Sequence, residues 1–341
     1  MDKAPDQGEA LRRLRRLRQL LAGYQMSRAL LAADELGLID VLARGGATAD
    51  ELAHATATHG PSIHRLLRVL RSAEVVVEKD GRFFPGPLAS GLRDLGTARL
   101  GVESYRAWAE LAETLRTGKP AFERVHGTGF YPYIAQDAAR TLRFDDAMVA
   151  ISRAWIPAVL AAYDFAGTRV LADVGGGRGT FLASVLAAHP GMRGILFDQP
   201  HVVAHAKAVL AAARVRERCE IVGGSFLDSV PSGADTYALS NMLADWDDAS
   251  AVKIFKNVRR ALTGAGRLLL VDRMFPPPDD PSYELVALLD LWFLVVEGGR
   301  IRTQEEFERL LAEAGFAIVR VVRTQSELAV IEARLEPVRS D

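Results

Sequence analysis

From Arg169 onward, short apolar runs alternate with stretches of helical periodicity, and no other feature of the 341 residues limits the possible folds so tightly. The runs cover 169–174, 194–199, 219–224, 236–242 and 266–274. Repeated strand–helix alternation requires crossover connections, which build a parallel, doubly wound α/β sheet. After a helix at about 303–314, two further runs near 316–324 and 328–335 follow with no helix between them. They must pair antiparallel at one sheet edge.

The first run, Val170-Leu171-Ala172-Asp173-Val174, leads into Gly175-Gly176-Gly177-Arg178-Gly179. Glycines there let the backbone approach a ligand at the carboxyl end of a strand. Taken alone, such a turn is often only a tight strand–helix joint. The next run, Gly194-Ile195-Leu196-Phe197, ends in Asp198, where an acid can accept hydrogen bonds from both ribose hydroxyls of an adenosine. A dinucleotide fingerprint wants glycine or alanine three residues after its second glycine, and Thr180 stands there instead. The spacing Gly175-x-Gly177-x-Gly179 and the closing antiparallel pair favour S-adenosylmethionine (SAM), which has no pyrophosphate to cradle.

Upstream, residues 8–44 read as helix, with leucines at helical spacing from Leu11 to Leu31 and punctuation at Gly37 and Gly45-Gly46. Thr48 with Glu51 has capping-box spacing and starts a second helix; Pro61-Ser62 starts a third. The stretch Val75-Val76-Val77, the turn Lys79-Asp80-Gly81 and Arg82-Phe83-Phe84 form a hairpin. This is a winged-helix pattern, all-helical apart from its wing. It admits a ligand-sensing DNA-binding regulator as an alternative, because the third helix carries His64, Arg65, Arg68 and Arg71. Residues 1–100 hold 15 Lys and Arg against 12 Asp and Glu, a difference of +3, a weak footprint for a phosphate backbone. The better reading is a domain that packs on its own copy. Residues 101–162 read as helical linkage broken at Gly118-Lys119-Pro120 and Gly127-Thr128-Gly129. The expected organisation is thus a dimerisation domain over 1–100, a helical segment over 101–165 contributing to a substrate pocket, and a SAM-binding domain over 166–341.

Composition narrows the setting. A formal net charge of −1 argues against a dedicated nucleic-acid or membrane-surface binder. The single cysteine, Cys219, excludes a disulfide framework or cysteine metal cluster within the chain. No apolar run reaches membrane-spanning length and no signal core precedes the first helix, so a cytoplasmic location is expected.

Five segments together resemble a known family. They are Asp173-Val174-Gly175-Gly176-Gly177, Phe197-Asp198-Gln199-Pro200-His201, Asp245-Trp246-Asp247-Asp248, Gly266-Arg267-Leu268-Leu269-Leu270-Val271 and Gly298-Gly299-Arg300-Ile301-Arg302-Thr303. The chain is similar over almost its whole length to the bacterial and plant small-molecule O-methyltransferases with a winged-helix dimerisation domain. The resemblance implies a Rossmann-like, seven-stranded class I methyltransferase sheet, SAM as cofactor, a homodimer and a small aromatic substrate. It implies that Asp198 holds the ribose beside the turn Gly175, Gly176 and Gly177. Ser225 and Phe226 would flank the adenine, although the family usually has an acid at Ser225. Ser240 would lie at the cofactor, and Arg140 and Met148 would close over it.

The chain departs from the family at the chemistry. Phenol-methylating members have a histidine base just before the Asp-Trp pair, and here Ala244 stands there. The two acids flanking that histidine fall at Asp272, kept in kind, and Ile301, lost. An alanine cannot move a proton. His201 and His205 lie one turn apart but lack a third ligand for a metal; His126 reads as structural. Two catalytic candidates remain. Tyr131 either faces the reacting centre or is only an aromatic wall, and Asp245 is either catalytic or a helix cap or an acid close to the sulfonium. Trp155, Trp292, Phe293 and Met242 are expected to line an apolar pocket for a flat acceptor. The expected reaction is O-, N- or C-methylation by proximity, without a histidine base. The alternative within the fold is a SAM-binding relative that has lost methyl transfer, hydroxylase- or cyclase-like.

Overall fold

The computed structural model describes residues 7–92 and 101–336. The chain forms two compact units, Met1–Val102 and Glu103–Asp341.

In the first unit, the helix expected over 8–44 is three helices, Gln7–Leu21, Gly23–Glu35 and Leu38–Leu42. Gly37 sits at φ +66°, a left-handed state that a continuous right-handed helix cannot contain. Periodicity of the leucines continues through both breaks, which is why the sequence reads as one helix. The capping box at Thr48 forms: its hydroxyl accepts from Glu51 N at 3.2 Å while its own N donates to Glu51 at 2.8 Å. Helix Gly60–Ser72 buries Ile63, Leu67 and Leu70. Strands β1 (Val76–Lys79) and β2 (Arg82–Pro85) pair antiparallel as the wing. Leu38, Leu42, Leu52 and Phe83 complete this core. The first helix takes no part in it. Its Leu11, Leu14, Leu17, Leu20 and Leu21 stay 44–66% exposed, an apolar row of the kind that marks an interaction surface.

The second unit begins with short helices that glycines end. Gly118 (φ +67°) caps Leu111–Thr117, and Gly127 (φ +74°) caps Ala121–His126. Helices Phe130–Ala135 and Ala138–Ala162 follow, the latter started by Asp137, whose carboxylate accepts from Arg140 N at 2.6 Å. Seven strands then build one sheet: β3 (Val170–Val174), β4 (Arg193–Asp198), β5 (Cys219–Gly223), β6 (Thr236–Ser240), β7 (Arg267–Asp272), β8 (Phe316–Arg323) and β9 (Ala329–Leu335). Their order is β5-β4-β3-β6-β7-β9-β8. The first five run parallel, and β8 and β9 are the antiparallel pair at the edge.

Burial explains the sequence pattern. The central strands are covered on both faces, so they read as nearly continuous apolar runs. Ala172, Val174 and Leu239 face a core shared with helices Asp248–Ala261 and Gln304–Glu313. Leu171, Leu196 and Ala238 face the other, with Trp155, Phe181 and Leu186. The chain winds outward from β3 through β4 to β5, then returns to β6 on the other side. That reversal opens a crevice at the carboxyl ends of β3 and β6, where ligands of open α/β sheets bind.

Candidate active site

The crevice floor is the turn after β3. Gly175 and Gly177 have φ of +72° and +59°. At Gly176 the constraint is space: a Cβ there would lie 2.5 Å from Asp173 Oδ2 and 2.6 Å from Leu196. Asp198, at the end of β4, accepts from Gly177 N at 2.8 Å and from Gln199 N at 2.7 Å. Burial raises its pKa, and the two amides oppose that rise.

Beneath the turn lies a residue that sequence reading treated only as part of a strand. Asp173 is fully buried; Ser240 donates to its Oδ1 at 3.1 Å, and Oδ2 has no hydrogen-bond partner. Burial pushes this carboxyl up to about 7. Ser240 is thereby positioned by Asp173, across the β3–β6 pair. On one side of the turn Phe226 packs edge-on to Trp246 at 5.4 Å, its carbonyl held by Asn257 at 2.8 Å; Ser225 precedes it in the same loop. Met242 borders Gly175.

After β6 comes a tight turn, Leu243–Asp245. Three buried groups fix it. Asp272 accepts from Leu243 N at 3.0 Å. Arg302, 1% exposed, donates to Leu243 O at 2.9 Å, Trp246 O at 2.7 Å and Asp248 at 2.9 Å. Gly299 presses on the carbonyl of Ala244, where a Cβ would come within 1.9 Å. Glu297, just past the end of helix Tyr283–Val296, acts on Asp245 and opposes the rise that burial gives its pKa.

The same turn meets Tyr131, whose hydroxyl donates to Asp245 Oδ2 at 2.6 Å. The structure thus brings the two catalytic candidates into contact. Tyr131 is 44% exposed overall, but its hydroxyl is turned in. Burial and the charges of Asp245, Glu297 and Asp198 raise that hydroxyl well above 10. At neutral pH it is therefore a donor and not a base. Asp245 is pushed up to about 6, chiefly by burial, against the lowering effect of the hydrogen bond from Tyr131 and the influence of Glu297. Rings form the wall: Phe130 packs edge-on to Trp292 at 5.6 Å and to Phe144 at 5.9 Å, and Phe293 packs on Trp292 at 5.3 Å.

Several expectations meet a different placement. Trp155 is not a wall of this pocket; it lies in the core against Phe181, because its face of helix Ala138–Ala162 is the one that covers the sheet. Arg140 lays its guanidinium over the Tyr133 ring at 4.1 Å and donates to Tyr133 O at 2.7 Å. Met148 is half-buried on the same helix. The tie from that helix to the glycine-rich turn is one that sequence reading missed, Asp146 to Arg178 at 2.7 Å. His126 binds Glu103 O at 3.0 Å and stacks on Phe122. No group of three metal-binding side chains occurs among the described residues. Ile301 is buried, with its N bound to Asp290 at 2.6 Å.

Known proteins match this architecture. Residues 108–317 fit the model of the O-methyltransferase domain, and residues 18–92 that of the O-methyltransferase dimerisation domain. The chain belongs to the O-methyltransferase family. It is 39% identical to phenazine O-methyltransferase PhzM of Lysobacter antibioticus, over 93% of this chain and 95% of that one. It is 36% identical to 8-amino-8-demethylriboflavin N,N-dimethyltransferase of Streptomyces davaonensis, over 94% of each. Among solved structures, the neocarzinostatin O-methyltransferase NcsB1 in complex with SAM and 2-hydroxy-5-methyl naphthoic acid superposes with a TM-score of 0.78 at 29% identity, covering 91% of this chain and 95% of that one. This methyltransferase uses SAM as cofactor. The crevice fits it on its own evidence: Gly175 and Gly177 turn left-handed at the carboxyl end of β3 beside the Asp198 carboxylate, and buried Asp173 holds an oxygen with no hydrogen-bond partner beneath them.

Proposed function

We propose that the protein methylates a small aromatic acceptor of the natural-product type, at oxygen, nitrogen or carbon, and does so by placement rather than with a histidine base. The relatives support both oxygen and nitrogen as targets, since they are named for phenazine O-methylation and for aminoriboflavin N,N-dimethylation. The observation that carries the reading is the continuity of two half-sites. The glycine turn with Asp198 adjoins, through Met242 and the Leu243–Asp245 turn, an aromatic wall that ends in Tyr131.

In this reading, Gly175, Gly176 and Gly177 let the backbone close on the cofactor, and Asp198 accepts from its ribose. Ser225 and Phe226 border the adenine, Ser240 and Asp173 the amino-acid end, and Arg140 and Met148 close the site from helix Ala138–Ala162. Bound SAM supplies an already activated methyl group. Phe130, Trp292 and Phe144 hold a flat ring and keep water out, and most of the rate enhancement then comes from orientation. Ala244 is buried and carries no proton. Two copies pair through the dimerisation domain of residues 18–92 together with the exposed leucine row of helix Gln7–Leu21 that leads into it, and the protein works in the cytoplasm.

Calorimetry tests the cofactor half of this reading. Asp198→Ala is expected to weaken SAM binding about 10- to 100-fold, the effect of losing roughly 1–3 kcal/mol of hydrogen bonding. Unchanged affinity would contradict the assignment.

A further inference from the structure

Where the chain leaves β6, one residue stands in an uncommon backbone state. Asn241 has φ +52°, the left-handed region that is unfavourable for any residue with a Cβ and least so for asparagine. Ala57, Glu74 and Arg214 share that state just past helix ends, and Asp80 has it in the turn of the wing, settings where it is common. Asn241 lies in neither setting. It follows Ser240 directly, its N donates to Val271 O at 2.8 Å, and the chain then runs through Met242 into the Leu243–Asp245 turn.

The end of the neighbouring strand holds Asn241 in place. Arg273, the residue after β7, donates from Nη1 to Asn241 Oδ1. Glu327, in the β8–β9 loop, anchors the same guanidinium from the other side, with Nε and Nη2 each 3.1 Å from its Oε2. The Arg273 side chain is only 14% exposed, so it is a fixed strut and not a loose surface pair. Asp272, one residue earlier, accepts from Leu243 N at 3.0 Å. Asp272 and Arg273 thus grip the residues on both sides of Met242. Met242 is buried and borders the glycine turn: a Cβ on Gly175 would lie 3.3 Å from Met242 Cε. Arg273 also acts through space on Asp245, at the acceptor end.

Resting on the methyltransferase reading above, we infer that Arg273 is a positioning residue for the cofactor seat. It holds Asn241 left-handed and, with Asp272 on Leu243, sets Met242 against the glycine turn where the two half-sites join. Without that grip Asn241 relaxes toward an ordinary backbone state, Ser240 and Met242 shift, and the seat loosens. Glycine at 241 would reach the left-handed state unaided, and alanine would not.

The test uses the full-length protein with S-adenosylhomocysteine as the probe, binding measured by calorimetry and stability by thermal melts. Arg273→Met is expected to weaken binding about tenfold, within the range for residues coupled in one network. Arg273→Lys, which keeps the charge and a donor but not the fork, should recover part of that loss. Asn241→Ala should bind at least about fivefold more weakly than Asn241→Gly, since both lose the oxygen that Arg273 holds and only the backbone preference separates them. In the Asn241→Gly background, Arg273→Met should weaken binding less than about twofold. Glu327→Gln, on a side chain 58% exposed, loosens the strut without opening the core and should weaken binding about threefold. A merely structural arginine would lower the melting temperature and leave the affinity of the folded protein unchanged. The inference is overturned if Arg273→Met, or Glu327→Gln where Arg273→Met does not fold, binds the probe as the wild type does. It is overturned equally if Arg273→Met loses as much affinity in the Asn241→Gly background as in the wild type. Should the wild type bind the probe and yet methylate no aromatic acceptor, the proposed function falls, while these binding comparisons still decide the role of Arg273.

Discussion

At the residue scale, the pairing of the glycine turn with Asp198 was the most legible feature of the candidate site. Asp198 and the glycine turn announce themselves because strand, turn and acid lie within one short stretch of chain. Asp173 did not, since its role depends on burial beneath the turn and on Ser240 from a strand 67 residues later. The packing of Gly299 on Ala244, a contact between two loops far apart in sequence, gave no signal either. Asp173 yields a prediction with a definite sign. Its folded pKa of about 7 lies above the ordinary 3.8, so the folded state binds its proton more tightly than the unfolded chain does. The stability this gives is complete below about pH 4 and is lost as pH rises through 7. Asp173→Asn removes that loss, and the ligand-free variant should gain stability over the wild type between pH 5 and pH 8, by up to about 4 kcal/mol. SAM affinity should fall in the same variant. Thermal melts at the two pH values check this; a gap that fails to widen with pH would show that Asp173 is ionised at no penalty.

At the element scale, the alternation of strands and helices fixed both the sheet and its antiparallel edge, with ends within two residues of the observed ones. It did so because parallel strands buried on both faces must be apolar throughout. The N-terminal helices were less legible: Gly37 was read as punctuation, but leucine spacing alone does not report the backbone break at Ala22. The loop 297–302 is the element on which the acceptor end depends. It holds Gly299 against the Leu243–Asp245 turn, and it contributes Arg302, which binds both ends of that turn. Gly299→Ala should force the two loops apart, destabilise the protein by about 1–3 kcal/mol and lower methyl transfer at least tenfold. SAM affinity should change much less, because the glycine turn after β3 is untouched. Melting curves, kcat and calorimetry read the three effects separately. Equal losses in all three would mean that the loop serves general folding and not the acceptor end.

At the scale of the whole molecule, the exposed leucines of helix Gln7–Leu21 and the match of residues 18–92 to a dimerisation domain point the same way. A stable dimer typically buries on the order of 1,600 Å² or more, largely apolar in obligate pairs. Leu14→Lys with Leu17→Lys should therefore yield a monomer in sedimentation at micromolar concentration while the SAM-binding sheet still folds. A dimer that survives both charges would move the interface elsewhere. The central claim is methyl transfer to a small aromatic acceptor. Its most direct measurement incubates the purified protein with methyl-deuterated SAM and a metabolite extract of the source organism, and follows new masses. An aromatic product heavier by one labelled methyl, formed by the wild type and strongly reduced in Asp198→Ala, is the expected result. Tight binding of SAM with no labelled product at any pH between 5 and 9 would contradict the account.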